Sequence, residues 1–255
     1  MNLVAYSADD HAGVNIARIL LEEFKLDARS VVRIEPNIKE MVSLPFTPDL
    51  LIVASRHKSE SGTPTLTCHA TGNFGPAELG GFSRSLQETS ALHLRSALLL
   101  LQEYQRAGNL GFDVSLEVTH HGPTSMPFPL IFVEVGSTSA QWDDVNACRI
   151  VARVISELLV CEPERVPVAV GFGGPHYAPN FTAVADRVAV GHIASKHVAG
   201  FLDEAMVRQM IGKTVPKPSF ALFDWKGLRG EERNRIMGIL NSVGLPYCRT
   251  SEFKE

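Results

Sequence analysis

The stretch DLLIVAS, at residues 49–55, carries five consecutive apolar residues between an aspartate and a serine. A short apolar run without polar alternation predicts a strand that is buried on both faces of a covered sheet. Six further segments continue the series: NLVAYS (2–7), VSLEV (114–118), LIFVEVG (130–136), VPVAVGF (166–172), VAVGH (188–192) and FALFDW (220–225).

Segments with apolar residues at helical spacing alternate with these strands. They are VNIARILLEEF (14–24), FSRSLQETSALHLRSALLLLQEYQ (82–105), WDDVNACRIVARVISELL (142–159), DEAMVRQMIGK (203–213) and EERNRIMGILNSVG (231–244). Alternation of strands and helices predicts an α/β fold. We therefore expect residues 1–255 to form a single three-layer α/β/α domain around a mixed, mostly parallel sheet.

The composition excludes several classes of protein. Apolar residues make up 45% of the chain, and no apolar run approaches the ~18–20 residues of a membrane-spanning helix. The stretch MNLVAYSADDHAG lacks the basic region and apolar segment of a secretory signal. The cysteines Cys68, Cys148, Cys161 and Cys248 form no CxxC pair, which argues against a disulfide framework or a structural cysteine–zinc site. We expect a cytoplasmic protein with no membrane segment and no obligate protein partner.

Charge is distributed unevenly along the chain. Between Arg187 and Arg235 there are nine Lys/Arg and five Asp/Glu, an excess of +4, so the rest of the chain carries -8 to give the net charge of -4. Such a segment can bind one anionic partner or can be a solvated face with uneven charge. Composition alone favours the second interpretation.

Polar side chains collect beyond the ends of the predicted strands, where open α/β sheets usually bind ligands. Four segments carry them: SRHKSESGTPTLTCHATGN (55–73), EVTHHGPTS (117–125), GFGGPHYAPNF (171–181) and GHIASKH (191–197). Seven of the nine histidines fall there: His57, His69, His120, His121, His176, His192 and His197. A lone histidine is usually structural, but this recurrence favours a site in which imidazole acts as base, proton shuttle or zinc ligand. His93 lies within a predicted helix and is interpreted as structural, whereas His11 stays open.

Motif spacing does not identify the chemistry further. No HExxH motif fixes a set of zinc ligands, and no GxSxG motif supports a serine hydrolase. The GFGG loop matches neither a dinucleotide-binding fingerprint nor a P-loop.

The adjacent histidines His120 and His121 pose a geometric question. In a regular strand residues 117, 119 and 121 share a face, which would place His121 beside Glu117. Gly122 and Pro123 predict a bend that relaxes this alternation. We prefer His120 for the pocket, with His121 bracing the bend or forming the far wall.

Five segments occur together and in this order: residues 55–73, EVTHHGPTSMPFPLIFVEVGST (117–138), GFGGPHYAPNF (171–181), GHIASKH (191–197) and DWKGLRGEER (224–233). In this combination the chain resembles the archaeal and plant type of D-aminoacyl-tRNA deacylase, from its first strand nearly to its C-terminus. The resemblance implies a zinc-dependent hydrolase that cleaves the ester between a D-amino acid and the 3′ end of tRNA. It also implies a fold similar to those of peptidyl-tRNA hydrolase and purine nucleoside phosphorylase.

The resemblance and this chemistry together give a set of candidate residues. We expect catalysis by His57, Glu117, His120, His121 and His176, and zinc binding by His57, His120 and His121. Substrate contacts are expected from Lys58, Ser59, Glu60, Gly173, Gly174, Tyr177 and His192. The N–H groups of the two glycines would stabilise the tetrahedral oxyanion, and Lys58 would contact the terminal phosphate. The acceptor end of the D-aminoacyl-tRNA is expected along Lys196, Lys213, Lys217, Lys226 and Arg229.

Two other functions fit parts of the sequence. One is a zinc-dependent amidase or peptidase on a related fold. Turnover of a D-amino-acid amide, compared with that of a D-aminoacyl-tRNA, would distinguish this function from a deacylase. The other is a non-catalytic RNA-binding module. Clustered histidines and glutamates argue against that module, because a grip on the RNA backbone needs lysine and arginine.

Overall fold

The computed structural model describes residues 1–35 and 37–253. Its strands are β1 (Leu3–Ser7), β2 (Val31–Ile34), β3 (Leu51–Arg56), β4 (Thr65–His69), β5 (Gly72–Asn73), β6 (Ser85–Leu86), β7 (Thr89–Ser90), β8 (Asp113–Leu116), β9 (Leu130–Gly136), β10 (Val168–Phe172), β11 (Ala189–Ala194), β12 (Thr214–Val215), β13 (Phe220–Phe223) and β14 (Tyr247–Arg249). Its α-helices are α1 (His11–Glu22), α2 (Ala91–Ala107), α3 (Ser139–Trp142), α4 (Val145–Leu158), α5 (Pro179–Thr182), α6 (Glu204–Gly212) and α7 (Gly230–Val243).

The main strands divide between two sheets. Six form a mixed sheet in the order β2-β1-β3-β9-β4-β8, in which β4 pairs antiparallel with β9 and the other neighbours pair parallel. Four form an entirely parallel sheet in the order β11-β10-β13-β14. The predicted α/β class with a mixed, mostly parallel sheet is confirmed, but the strands do not continue as one series.

The two sheets meet at the segment that follows β8. The strand predicted at residues 114–118 ends at Leu116, and the chain then bonds to the second sheet. Val118 N donates to His176 O (3.0 Å), and Thr119 N donates to Ile193 O of β11 (2.9 Å). The residues around Glu117 therefore belong to the junction between the sheets.

Among the described residues, α-helices cover one face of the six-stranded sheet. The apolar sides of α1, α2 and α4 pack on that face through residues such as Ile16, Leu98 and Val151, and the same core reaches the second sheet. Helices α6 and α7 cover the opposite face of the second sheet through Met206 and Ile236. None of the helices in the described ranges is long and apolar enough to cross a membrane.

Loops take the place of helices on the other face of the six-stranded sheet. Val53 and Phe132 pack there against Ile38, Met126 and Phe128, which lie outside the α-helices. Prolines keep these segments from forming helices: Pro45, Pro48, Pro123, Pro127 and Pro129. The third layer expected from the sequence is therefore built here from loops, and this is the face that carries the polar cluster described next.

Candidate active site

Two buried carboxylates form the centre of the polar cluster. Glu134 lies in β9 on the loop-covered face, and Glu117 follows β8 at the junction of the sheets; their side chains are 2% and 0% exposed. His57 Nδ1 lies 3.0 Å from Glu117 Oε1 and 3.6 Å from Glu134 Oε2. His176 Nε2 donates to Glu117 Oε2 at 2.8 Å. A buried carboxylate needs such partners because desolvation of an unpaired charge is costly.

The backbone of His57 is held from two sides. Its N–H donates to Val135 O (2.9 Å), and Trp142 Nε1 donates to its carbonyl oxygen (2.9 Å). The ring contacts Glu117 through Nδ1 and the Tyr177 hydroxyl through Nε2 (2.9 Å). Both ring nitrogens of His57 are therefore engaged within the protein, and its expected role as a zinc ligand stays a prediction.

Charge is stabilised in this part of the cluster. Burial opposes ionisation of Glu117, yet hydrogen bonds from His176 and His57 hold its pKa well below the ordinary value. Burial likewise opposes a charge on His57, yet Glu117 and Glu134 raise its pKa to about 11. His57 is thus a cation between two carboxylates near neutral pH.

Three other histidines form a second group beside the carboxylates. The Nδ1 atoms of His69, His120 and His121 each contact a backbone carbonyl, those of Ala70 (3.1 Å), Val118 (2.8 Å) and Gly122 (2.6 Å). A neutral ring that donates from Nδ1 presents the lone pair of Nε2. One nitrogen from each ring lies within 4.8 Å of the others. The arrangement suits a shared cation.

Burial keeps two of these rings neutral. Burial, and then the charge of His69, lower the pKa of His120 to about 3. Burial also holds the pKa of His121 well below its ordinary value. In His69, Glu134 raises the pKa against the opposing effect of burial. A cation bound here would require all three rings to be neutral, since metal ligation needs the unprotonated imidazole nitrogen.

Both members of the adjacent pair turn into the cluster. His121 has φ of +43°, a left-handed conformation that is uncommon outside glycine and breaks strand alternation. The ring centroids of His120 and His121 are 4.4 Å apart, and both lie close to His69, at 4.3 and 4.9 Å. Both rings therefore lie in the cluster, and the pocket does not contain one of them at the expense of the other. The reason is that the bend is at His121, one residue before Gly122.

The family model described as D-aminoacyl-tRNA deacylase matches residues 44–248, a range that contains every residue of this cluster. The chain belongs to the D-aminoacyl-tRNA deacylase family. A D-aminoacyl-tRNA deacylase of Methanosarcina mazei is 41% identical over 219 residues, which cover 85% of this chain and 71% of that protein. One of Cenarchaeum symbiosum is 34% identical over 256 residues, covering 96% of this chain and 98% of that protein.

A solved structure supports the deacylase fold described above. A crystal structure described as that of a conserved protein of unknown function superposes with a TM-score of 0.91 at 26% identity. The match covers 100% of this chain and 96% of the other. The resemblance inferred from the five ordered segments is thereby confirmed at the level of the family and the fold.

The structure of this deacylase-family chain brings together the five expected catalytic residues and Tyr177. It adds His69 and Glu134, which the sequence-based set omitted. Glu134 is the one charged residue in LIFVEVG, and His69 ends the strand TLTCH. Thr67 is directly opposite Glu134, so His69 reaches the carboxylate diagonally on the same face, at 3.6 Å. A carboxylate within an otherwise apolar strand was the signal available.

Other expected substrate contacts lie apart from the cluster. His192 is fully buried, and its Nδ1 contacts the Thr119 hydroxyl at 3.2 Å. Lys58 and Glu60 are exposed in the loop after β3, where Ser59 Oγ contacts Ser61 Oγ (3.0 Å). His93 Nδ1 contacts Ser90 Oγ (2.7 Å) at the start of α2, and His11 is exposed at the start of α1. His93 keeps the structural interpretation, and a substrate role for His192, whose Nε2 has no hydrogen-bond partner among the described residues, stays a prediction.

The two glycines expected to stabilise an oxyanion have another role. Gly173 N donates to Ala194 O (2.8 Å), and Gly174 N donates to Gly227 O (3.4 Å). Their φ values of +100° and +85° favour glycine, and a Cβ on Gly173 would lie 2.8 Å from Asp224 O. These glycines allow two loops to touch, and their N–H groups are not free to bind substrate.

A cavity of about 280 Å³ opens beside the second histidine group. His120 and His121 form one wall, and apolar side chains of Phe74, Leu79 and Phe201 form others. A larger cavity of about 770 Å³ lies elsewhere, between residues 162–168 and 216–219, and contains none of the clustered histidines. Of these two cavities, the smaller one adjoins the clustered histidines.

Proposed function

We propose that this protein hydrolyses the ester that joins a D-amino acid to the 3′ end of tRNA, releasing free D-amino acid and tRNA. The observation that carries the proposal is the convergence of five histidines and two buried carboxylates beside a cavity, in a chain of the deacylase family. An aminoacyl ester is already labile, so catalysis needs a positioned water and a proton for the departing 3′-oxygen.

We assign the proton transfer to His176. Glu117 accepts from its Nε2 at 2.8 Å, so Nδ1 is the ring nitrogen that does not contact this carboxylate. The His176 side chain is 41% exposed, so a water or substrate can reach it. His176 takes a proton from the attacking water and returns it to the 3′-oxygen, while Glu117 orients the ring and stabilises its cationic form. His57 keeps Glu117 ionised, and Tyr177 holds His57 in place.

A zinc ion fits the second histidine group, and we propose that His69, His120 and His121 hold it. The Nε2 atom of His69 is buried and has no hydrogen-bond partner among the described residues. Three neutral imidazoles are a common ligand set for catalytic zinc. Bound zinc would lower the pKa of an attached water. In the alternative donor set of His57, Glu117 and His176, one Glu117 oxygen already accepts from His176 and the other lies 3.0 Å from His57 Nδ1.

The substrate would enter through the 280 Å³ cavity, with its ester at His120 and His176, whose ring centroids are 4.7 Å apart. Amide or peptide substrates remain the alternative for the same groups, and the family match favours the tRNA ester. A cytoplasmic location also stays a prediction, supported by four free cysteines.

The test is hydrolysis of matched D- and L-aminoacyl-tRNAs by the purified protein. We expect release of the D-amino acid, the L-form left largely intact, and no turnover of a D-amino-acid amide. His176→Ala should lower kcat about 10²–10⁴-fold, the usual range for loss of a general acid–base group. His11→Ala is the matched control, because His11 is exposed and outside the cluster. Equal cleavage of the D- and L-forms, or cleavage of neither, would refute the proposal.

A further inference from the structure

Three loops meet at one edge of the four-stranded sheet and line a third cavity, of about 590 Å³. They follow β10, β11 and β13, whose carboxyl ends share this edge because the strands are parallel. Open parallel sheets characteristically bind ligands at this edge. The cavity is lined by Gly174 and Pro175, by Lys196 and His197, and by residues 226–229 and 232.

Glycine backbone contacts bring these loops together. Gly174 N donates to Gly227 O, and Gly174 O accepts from Lys196 N (3.0 Å). A Cβ on Gly227 would overlap the backbone nitrogen of Gly174. The close approach places Lys196 and Lys226 in one cavity although thirty positions separate them in the chain.

The cavity carries a positive excess. Lys196, Lys226 and Arg229 line it, against the single acid Glu232, and within the described ranges none of the three cations forms an ion pair. Glu232 Oε2 accepts from the backbone N–H of Arg229 (3.1 Å), which directs the carboxylate toward the start of α7. Lysine offers a point charge to a phosphate, and arginine a fork of donors.

We infer that this cavity binds the phosphates that precede the terminal nucleoside of the tRNA. The inference rests on the proposed deacylase function. Gly174 in the cavity wall is two residues from His176, a distance of about 7 Å along the chain at most. A phosphate held here therefore leaves the 3′-terminal ester within reach of His176.

The same geometry removes two residues from the expected tRNA surface. Lys217 precedes β13 and thus lies at the opposite edge of the sheet from Lys226, which follows β13. Lys213 Nζ donates to the carbonyl oxygen of Leu86 and is half-buried. The basic segment therefore separates into a tRNA-facing set of Lys196, Lys226 and Arg229 and a remainder that faces elsewhere.

The experiment compares Lys196→Ala, Lys226→Ala and Arg229→Ala with the control Lys217→Ala. The substrates are a D-aminoacyl-tRNA and the corresponding D-aminoacyl-adenosine, which has the same ester but no phosphate. Each of the three variants should raise KM for the tRNA about tenfold, as expected for one charge-assisted hydrogen bond. The ratio of kcat/KM for the tRNA to that for the adenosine ester should fall by the same factor. The log–log salt slope of tRNA binding should become shallower by about 0.7 for each phosphate interaction that a variant removes.

Two results would overturn the inference: an equal rise in KM for Lys217→Ala, or an equal loss on the adenosine ester. If the wild-type protein cleaves no D-aminoacyl-tRNA, the proposed function fails. In that case, fluorescence anisotropy with uncharged tRNA tests phosphate binding by the cavity independently of catalysis. Weaker binding by the three variants than by Lys217→Ala supports the phosphate site, and equal binding by all four refutes it.

Discussion

Replacing Glu117 by glutamine removes one negative charge from the centre of the cluster while keeping the shape of the side chain. At an effective dielectric constant of about 20, unit charges 3.0 Å apart, as in the Glu117–His57 pair, attract by about 5 kcal/mol. Glu134, 3.6 Å from the same ring nitrogen, still balances His57 in the variant. We therefore expect the free energy of unfolding to fall by about 3 kcal/mol, the lower end of the range for breaking a buried ion pair.

The effect on catalysis has a different origin. His176 loses the carboxylate that accepts from its Nε2 at 2.8 Å, and with it the stabilisation of the cation formed during proton transfer. We expect kcat for D-aminoacyl-tRNA to fall about 10²–10³-fold, with KM changed little, because the cavity walls and the basic loops are intact.

Single-turnover kinetics and urea denaturation of the Glu117→Gln variant measure the two effects separately. Glu134→Gln is the matched control, since Glu134 is equally buried and contacts the same His57 but not His176. With zinc at saturation, the control should lose similar stability and much less activity. If both variants lose kcat to the same extent, Glu117 acts only through the fold and the assignment of His176 fails.

Three further outcomes follow from the geometry. His69→Ala should abolish zinc retention in metal analysis after gel filtration, whereas His93→Ala should retain the ion; zinc bound equally by both variants would contradict the proposed ligands. Gly227→Ala should destabilise the fold by about 2 kcal/mol in urea, because its Cβ would overlap the backbone of Gly174, and should weaken tRNA binding. Burial opposes the charge of His57, but its two carboxylate neighbours raise its pKa from 6.5 to about 11. The stabilisation from this charge is complete below pH 6.5 and is lost as pH rises through 11. The difference in free energy of unfolding between wild type and His57→Gln, measured in urea, should therefore become smaller between about pH 7 and pH 10. A difference that stays constant over this range would show that the charge of His57 is not its source.

The apolar runs predicted the strands well because a strand that is buried on both faces consists mostly of consecutive apolar residues. DLLIVAS and LIFVEVG became the adjacent strands β3 and β9. No pattern in the sequence indicates that the strands divide between two sheets. This division depends on hydrogen bonds of Val118 and Thr119 with residues more than fifty positions away, and local patterns carry no information about such pairing.

The sequence predicted which residue types form the candidate site, but it predicted only some of the individual residues. Histidines after strand ends predicted His57, His120, His121 and His176, and the structure places these four side chains in one cluster. Strand alternation failed at His121 because a positive φ in a residue other than glycine has no reliable sequence signal. The segment from Arg187 to Arg235 carries a positive excess. A count of charges along the chain does not show, however, which of them lie beyond the carboxyl end of β13 and which precede the strand.

The junction of the two sheets gives the hydrolytic centre an all-or-none character. His57, His69 and Glu134 come with the six-stranded sheet, whereas His176 comes from the loop after β10 in the four-stranded sheet. Glu117 donates its backbone N–H to Cys68 O of β4, and its neighbour Val118 donates to His176 O, a bond that exists only when the sheets are docked. A chain in which only one sheet has formed contains an incomplete set of reactive groups. Activity therefore reports the docking of the two sheets.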